Sequence, residues 1–206
     1  MQFNSELARE LLRIKAVQIN PAEYFTWTSG LKSPIYCDNR ITMSHPNVRK
    51  LITSAFVNLV EKMETKPDIV AGCATAGIPH AAWLSDRLNL PMVYVRSQPK
   101  GHGKGNQIEG DSVEGKKVLV IEDLISTGGS SLEAVDALRK AGAEVLEVMS
   151  IFTYGLKNAQ TNFNNKDVSY QSLTNYDVLL EALVVDGKIT ATEQATLIQW
   201  RNSIDS

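Results

Sequence analysis

From residue 68 to residue 155, short apolar runs alternate with segments of helical period: "DIVAGCA", "GIPHAAWLSDRL", "PMVYVRS", "KKVLVIED", "SSLEAVDALRKAG" and "EVLEVMSIFTYG". Strands and helices repeating in this way demand an α/β fold, a mostly parallel sheet covered by helices on both faces. The flanks fit the same scheme. Leu7, Leu11 and Ile14 recur at helical spacing behind Ser5, a candidate cap, and predict an amphipathic helix that packs as a lid. Val48, Leu51, Ile52, Ala55, Phe56 and Leu59 form one apolar face of a second helix. Beyond Leu156 a polar connection leads to a helix over 176–183, and a last helix follows Thr190 and ends near Trp200. With 206 residues, 43% of them hydrophobic, the chain is expected to form one domain over 1–206. Its approximate division is a small N-terminal hood over 1–45, then a core with C-terminal helices over 46–206.

The stretch "VLVIEDLISTGGSS", 118–131, reads as a strand running into a helix. Glu122 and Asp123 then sit at the strand's carboxyl end, where open parallel sheets bind ligands. The small residues that follow let backbone N–H groups approach an anion, and a helix start favours phosphate. Ser130 and Glu133 have the spacing of a capping box. One turn thus offers carboxylates on one side and a phosphate cradle on the other, which suits a phosphorylated ribose. On spacing alone, the acids could equally solvate a strand end and the glycines make a turn. No Walker-type loop occurs, and "GHGKGNQ" has neither the spacing nor the context of a dinucleotide fingerprint.

Two further segments carry chemistry. "AGCATAGIPHA" brings Thr75, Ala76 and Gly77 to another strand-to-helix turn, while His80 reads as helix packing and His45 as a loop residue. The interruption over 96–115 is glycine-rich without hydrophobic period, and a loop this long inside a compact domain is usually functional. It places Arg96, Lys100, His102 and Lys104 within nine residues.

"VLVIEDLISTGG" resembles the phosphoribosyl-pyrophosphate signature of the type I phosphoribosyltransferases. "FTWTSGLKSPIYCDNR" and "VRSQPKGHGKGNQIEG" resemble two segments peculiar to the orotate phosphoribosyltransferases, and the likeness spans roughly 24–154. The resemblance implies the type I phosphoribosyltransferase fold and transfer of a 5-phosphoribosyl group to orotate, giving orotidine 5′-monophosphate and pyrophosphate in pyrimidine synthesis. It gives Glu122 and Asp123 the ribose hydroxyls, with Asp123 catalytic. The rest of the motif, Leu124, Ile125, Ser126, Thr127, Gly128, Gly129 and Ser130, becomes substrate-binding, with the 5′-phosphate held by the backbone of 126–130. Thr75, Ala76 and Gly77 are assigned to pyrophosphate, and Lys32 and Tyr36, beside Ile35, to the base pocket. Lys100 and His102 become catalytic and, with Arg96 and Lys104, bind substrate from a loop that closes over the neighbouring subunit's site in a homodimer. Positive charge there stabilises a departing pyrophosphate, and closure excludes water. Mg²⁺ is implied too, arriving mainly on substrate oxygens, because no dedicated protein cage is visible in the sequence. Three departures stand out: many members carry lysine where this chain has Thr28 and Ala76, and an orotate-facing arginine where it has Tyr154.

Composition narrows the field. The net charge of −2 provides no general field for nucleic acid, and the segment before Tyr24 is too short for a DNA-binding appendage, which argues against a regulator built on the same fold. A phosphoribosyltransferase for a purine or uracil remains the runner-up. The apolar stretches fall well short of the ~20 residues of a membrane span, and the first residues lack a signal peptide's apolar centre, so a cytoplasmic location is expected. Cys37 and Cys73 lack metal-ligand spacing and are read as buried thiols.

Overall fold

The computed structural model describes residues 2–26, 30, 32–97 and 107–204. In chain order its elements are α1 (Gln2–Arg13), β1 (Val17–Ile19), β2 (Phe25–Thr26), β3 (Lys32–Ser33), β4 (Ile35–Cys37), a 3₁₀ turn (Asn39–Ser44), α2 (Pro46–Lys62), β5 (Ile69–Cys73), α3 (Gly77–Leu88), β6 (Met92–Val95), β7 (Ile108–Glu109), β8 (Lys117–Ile125), α4 (Gly129–Lys140), β9 (Glu144–Thr153), α5 (Lys157–Asn165), β10 (Ser169–Asn175), α6 (Tyr176–Val185) and α7 (Ala191–Ser203). Six strands form the main sheet in the order β10-β9-β8-β5-β6-β7. Every neighbouring pair is parallel except β6 with β7.

The apolar runs are continuous because both faces of these strands are covered. Along β8, Leu119 and Ile121 join the core built with α1, α2, α3 and α6, whereas Val118 and Val120 join the core built with α4 and α5. The path of the chain explains the two layers. From β5 it steps through α3 to β6, on one side; it then returns to β8 on the other side of β5 and proceeds through α4 to β9. Strand order therefore reverses between β5 and β8, and the helices leaving these two strands lie on opposite faces, which opens a crevice at their carboxyl ends.

Several local expectations change. Helix α1 buries Leu7, Ala8 and Leu11 in the main core and packs on α2, α6 and β10, so it flanks the sheet instead of lying over it as a lid. Ser5 lies inside α1, where its hydroxyl accepts from Arg9 Nη1 at 2.6 Å, and does not cap it. The "polar connection" after Leu156 is helix α5 plus the edge strand β10. In α5 only Ala159 and Phe163 are buried, which leaves too little apolar pattern to read. Strand β7 arises within the 96–115 interruption and pairs with β6. The last helix is capped by Thr190 and Glu193 through a reciprocal capping box. Cys37 and Cys73 are free thiols.

Phe163 does more than fill the core. It lies under Gly128, where φ is +84° and an added Cβ would sit 2.5 Å from the ring, so α5 supports the turn that follows β8. Replacing Phe163 with Ala is expected to destabilise the protein by about 3–5 kcal/mol, read as a lower urea midpoint at unchanged slope. His80 is 1% exposed and stacks edge-on against Trp83. Burial holds its imidazole down at about 4. Below the ordinary value near 6.5 the unfolded chain takes up a proton that the folded one refuses. Stability should therefore be complete above about pH 6.5 and fall by roughly 3 kcal/mol as pH drops toward 4; urea titrations should show this segment of the profile flattened in His80→Gln.

Candidate active site

Register brings the first two site segments together. Gly72 pairs with Ile121, so Cys73 runs out beside Glu122 and the turn of residues 74–77 lies against the acid pair. Contact there is backbone to backbone: a Cβ on Gly77 would sit 2.4 Å from the carbonyl oxygen of Ile121, so only glycine lets α3 start this close to β8. The Ala74–Thr75 peptide is cis.

An open cleft of about 320 Å³ lies at this junction, lined by Cys37, Asp38, Arg40, Ala74, Thr75, Ala76, Glu122, Asp123, Leu124 and Ser130. Of the residues expected from sequence, Thr75, Ala76, Glu122, Asp123, Leu124 and Ser130 are thus gathered on one cavity, with Gly77 directly behind. Ser126, Thr127, Gly128 and Gly129 form the turn from β8 into α4. Ile125 is fully buried, and its carbonyl oxygen accepts from the Thr153 hydroxyl at 2.9 Å, so its side chain belongs to the core.

Helices α3 and α4 both begin at this cleft without a side-chain cap, which leaves their first N–H groups and positive dipole ends for an anion. The expected capping box of Ser130 and Glu133 does not form. Gly128 occupies the cap position, and the Ser130 hydroxyl instead donates to Glu122 Oε2 at 3.1 Å. The acid one strand-end away outcompetes the local cap. Asn162 Nδ2 donates to the Thr127 carbonyl oxygen at 3.0 Å, fixing the turn from the α5 side.

Electrostatics at the acid pair are set by burial. Glu122 is 5% exposed, and desolvation followed by the neighbouring Asp123 charge pushes its carboxyl up to about 8; the Asp123 N–H and the Ser130 hydroxyl oppose the shift. Burial raises Asp123 as well, against its hydrogen bond with Glu122, backbone N–H groups and Arg40. Two adjacent carboxyls, one buried and one half-buried, cannot both ionise cheaply, and Glu122 keeps the proton near neutrality. Burial pushes both thiols well above the usual range, with Asp123 and Asp38 adding to it at Cys37 and Glu122 and Asp123 at Cys73.

Other expected residues lie apart. Arg96 follows β6 and its guanidinium meets Glu109 at 3.4 Å. Lys32 Nζ donates to the Thr26 hydroxyl at 2.7 Å, and Tyr36 is 39% exposed beside Phe25; neither lines the cleft. Ile35 is fully buried and gives no surface to a base pocket. Lys100, His102, Lys104 and Thr28 lie outside the described residues. The cleft-lining residues missed from sequence are Cys37, Asp38 and Arg40, which cross over from the N-terminal segment. The local signal was there: Asp38 caps the 3₁₀ turn by accepting from the Arg40 N–H at 3.2 Å and pairs with the Arg40 side chain at 2.6 Å. What no local pattern revealed is that this turn lands on β8.

Residues 42–180 match the phosphoribosyl transferase domain family. The chain is 62% identical over 202 residues to the orotate phosphoribosyltransferase of Oceanobacillus iheyensis, covering 98% of this chain and all of that one. It is 54% identical to that of Staphylococcus haemolyticus, covering 97% of this chain and 98% of the relative. Among solved structures, the orotate phosphoribosyltransferase of Aeropyrum pernix superposes with a TM-score of 0.76 at 30% identity, over 86% of this chain and 97% of that one. An acid pair and two uncapped helix starts at a β5/β8 crevice, carried on this level of identity over the full length, place the chain in the orotate phosphoribosyltransferase family.

Proposed function

We propose that this protein transfers the 5-phosphoribosyl group from phosphoribosyl pyrophosphate to orotate, forming orotidine 5′-monophosphate and pyrophosphate for pyrimidine synthesis. The observation that carries this reading is the convergence on one cleft of Glu122 and Asp123 with two helix starts that no side chain caps. Each piece has a use in such a transfer. The α4 start and the 126–130 turn bind the 5′-phosphate, and Thr75, Ala76 and Gly77 at the α3 start bind the pyrophosphate. Glu122 and Asp123 accept from the ribose hydroxyls. As the anomeric carbon loses pyrophosphate, the ring gains oxocarbenium character, and the ionised carboxyl of Asp123 stabilises that charge.

Among the described residues no group of three or more His, Cys, Asp or Glu side chains is placed to cage a metal. Asp38, Glu122 and Asp123 nevertheless make the cleft hospitable to a hard, oxygen-liganded cation. Mg²⁺ fits as an ion carried by pyrophosphate oxygens, where it would neutralise the leaving group, with the acids acting through the ribose hydroxyls. Lys100 and His102, with Lys104 and Arg96 in support, would bring positive charge from the 96–115 loop to the leaving group of a neighbouring subunit in a homodimer. No helix among the described residues is long and apolar enough to cross a membrane, in keeping with a cytoplasmic enzyme.

Supplied separately with orotate, uracil, hypoxanthine or adenine, together with phosphoribosyl pyrophosphate and Mg²⁺, the protein is expected to turn over orotate alone at speed; a purine reacting in its place would overturn the assignment of the base. Asp123→Asn should reduce kcat on the order of 100-fold. Lys100→Ala should lower kcat more than it raises either KM. Mixing these two impaired variants should raise activity above that of either alone if the loop serves the partner's site, and mixtures no more active than the separate variants would remove the shared-site arrangement.

A further inference from the structure

We infer that Asn39 is a positioning residue for the acid pair, holding the peptide of Asp123 in place, and that Thr42 and His80 form the buried chain that holds Asn39. The inference rests on the phosphoribosyl-transfer reading and extends it to residues that do not touch substrate.

Pairing between β5 and β8 ends at Gly72 with Ile121, yet β8 continues four residues further, to Ile125. On its other side, β8 keeps pairing with β9 through Glu122, Leu124 and Ile125. Asp123 is thereby carried out past the end of β5, where a buried carbonyl must find another donor. Asn39 supplies it. The side chain is 1% exposed, and Nδ2 donates to the Asp123 carbonyl oxygen at 2.7 Å, across 84 residues of sequence. The amide takes the place of the missing strand at the residue whose side chain faces the ribose.

Behind Asn39 the contacts continue inward. The Thr42 hydroxyl donates to the Asn39 carbonyl oxygen and lies 3.3 Å from His80 Nε2. Since that hydroxyl spends its proton on Asn39, it accepts from Nε2–H, which fixes the His80 tautomer from the hydrogen-bond network. His80 stands one turn into α3 from Gly77, the residue that touches Ile121. The chain His80, Thr42, Asn39, Asp123 therefore ties three walls of the cleft together: the α3 start, the 3₁₀ turn and the end of β8. Asp38 and Arg40, on either side of Asn39, line the same cleft. A displaced Asn39 would move the acid pair and both neighbours at once.

Asn39→Asp removes the donor at nearly constant volume and should lower kcat/KM for phosphoribosyl pyrophosphate by about tenfold or more, leaving the orotate KM within about threefold. Thr42→Val should lower the same parameter about threefold to tenfold, and Thr42→Ser, which keeps the hydroxyl, should recover it to within about twofold. Wild-type kcat/KM in Asn39→Asp, a Thr42→Ser as impaired as Thr42→Val, or an orotate KM that rises as steeply as that for phosphoribosyl pyrophosphate would each overturn the assignment. Should Asn39→Asp not fold, the Thr42 pair decides. If the wild-type protein makes no orotidine 5′-monophosphate, the parent reading fails separately, and calorimetric affinity for ribose 5-phosphate tests the positioning: about tenfold weaker binding by Asn39→Asp supports it, and equal affinity overturns it.

Discussion

A buried carboxyl, Glu122, and a half-buried one, Asp123, lie side by side on the longest shared edge in the sheet, and most of the surrounding structure is arranged to make that tolerable. Desolvation pushes both toward the protonated form. Against it stand the Ser130 hydroxyl, the Asp123 N–H and the guanidinium of Arg40, each of which favours the charged form. Desolvation still wins at Glu122, whose carboxyl stays up at about 8. Both Glu122 oxygens are engaged, Oε1 by the Asp123 N–H and Oε2 by the Ser130 hydroxyl. Neutral hydroxyl donors suit such a wall, and a further anion placed on the acids would not. The uncapped starts of α3 and α4 are the places in the cleft where negative charge is favoured.

That separation of jobs follows from the reversal of strand order between β5 and β8. Parallel strands send their chains out at the same edge, and α3 and α4 leave for opposite faces, so their positive ends flank the acids instead of neutralising them. The distance between strands is fixed by backbone pairing, and the approach of α3 is fixed by the missing Cβ of Gly77, which lets the helix begin against the Ile121 carbonyl. The α4 turn is fixed from below by Phe163 and from the side by Asn162. Packing at Gly77 and Gly128 thus sets the spacing of the two helix starts.

Much of this was readable from residues. Buried parallel strands such as "IVAGC" and "VLVI" have no competing local structure, and the glycine turns behind them mark helix starts, so the sheet and most of its cleft were predictable. What was not readable had one of two physical causes. In α5 and β10 the elements are held by a few side chains, Ala159, Phe163, Leu173 and Thr174, amid polar neighbours, so their periodicity is weak although their burial is complete. At Ser130 and Asn39 a long-range partner displaced the local one. A hydroxyl three residues before a glutamate is a cap unless an acid at the end of β8 reaches it first. An asparagine in a turn is a turn residue unless the strand 84 positions on lacks a donor.

The departures of this chain from the family pattern acquire structural meaning around the cleft. Tyr154 is 4% exposed, packs edge-on against Phe152, and its hydroxyl is kept protonated by burial and by the nearby Cys37 and Asp123. It is a wall behind the acid pair and cannot present charge to a ligand as an arginine would. Ala76 lines the cleft with a methyl group where a lysine would place an ammonium. The cation that lines the cleft among the described residues is Arg40, and Asp38 partly neutralises it. Among the described residues, positive potential in the cleft therefore comes chiefly from the backbone N–H groups of the two uncapped helix starts, with Arg40 in addition.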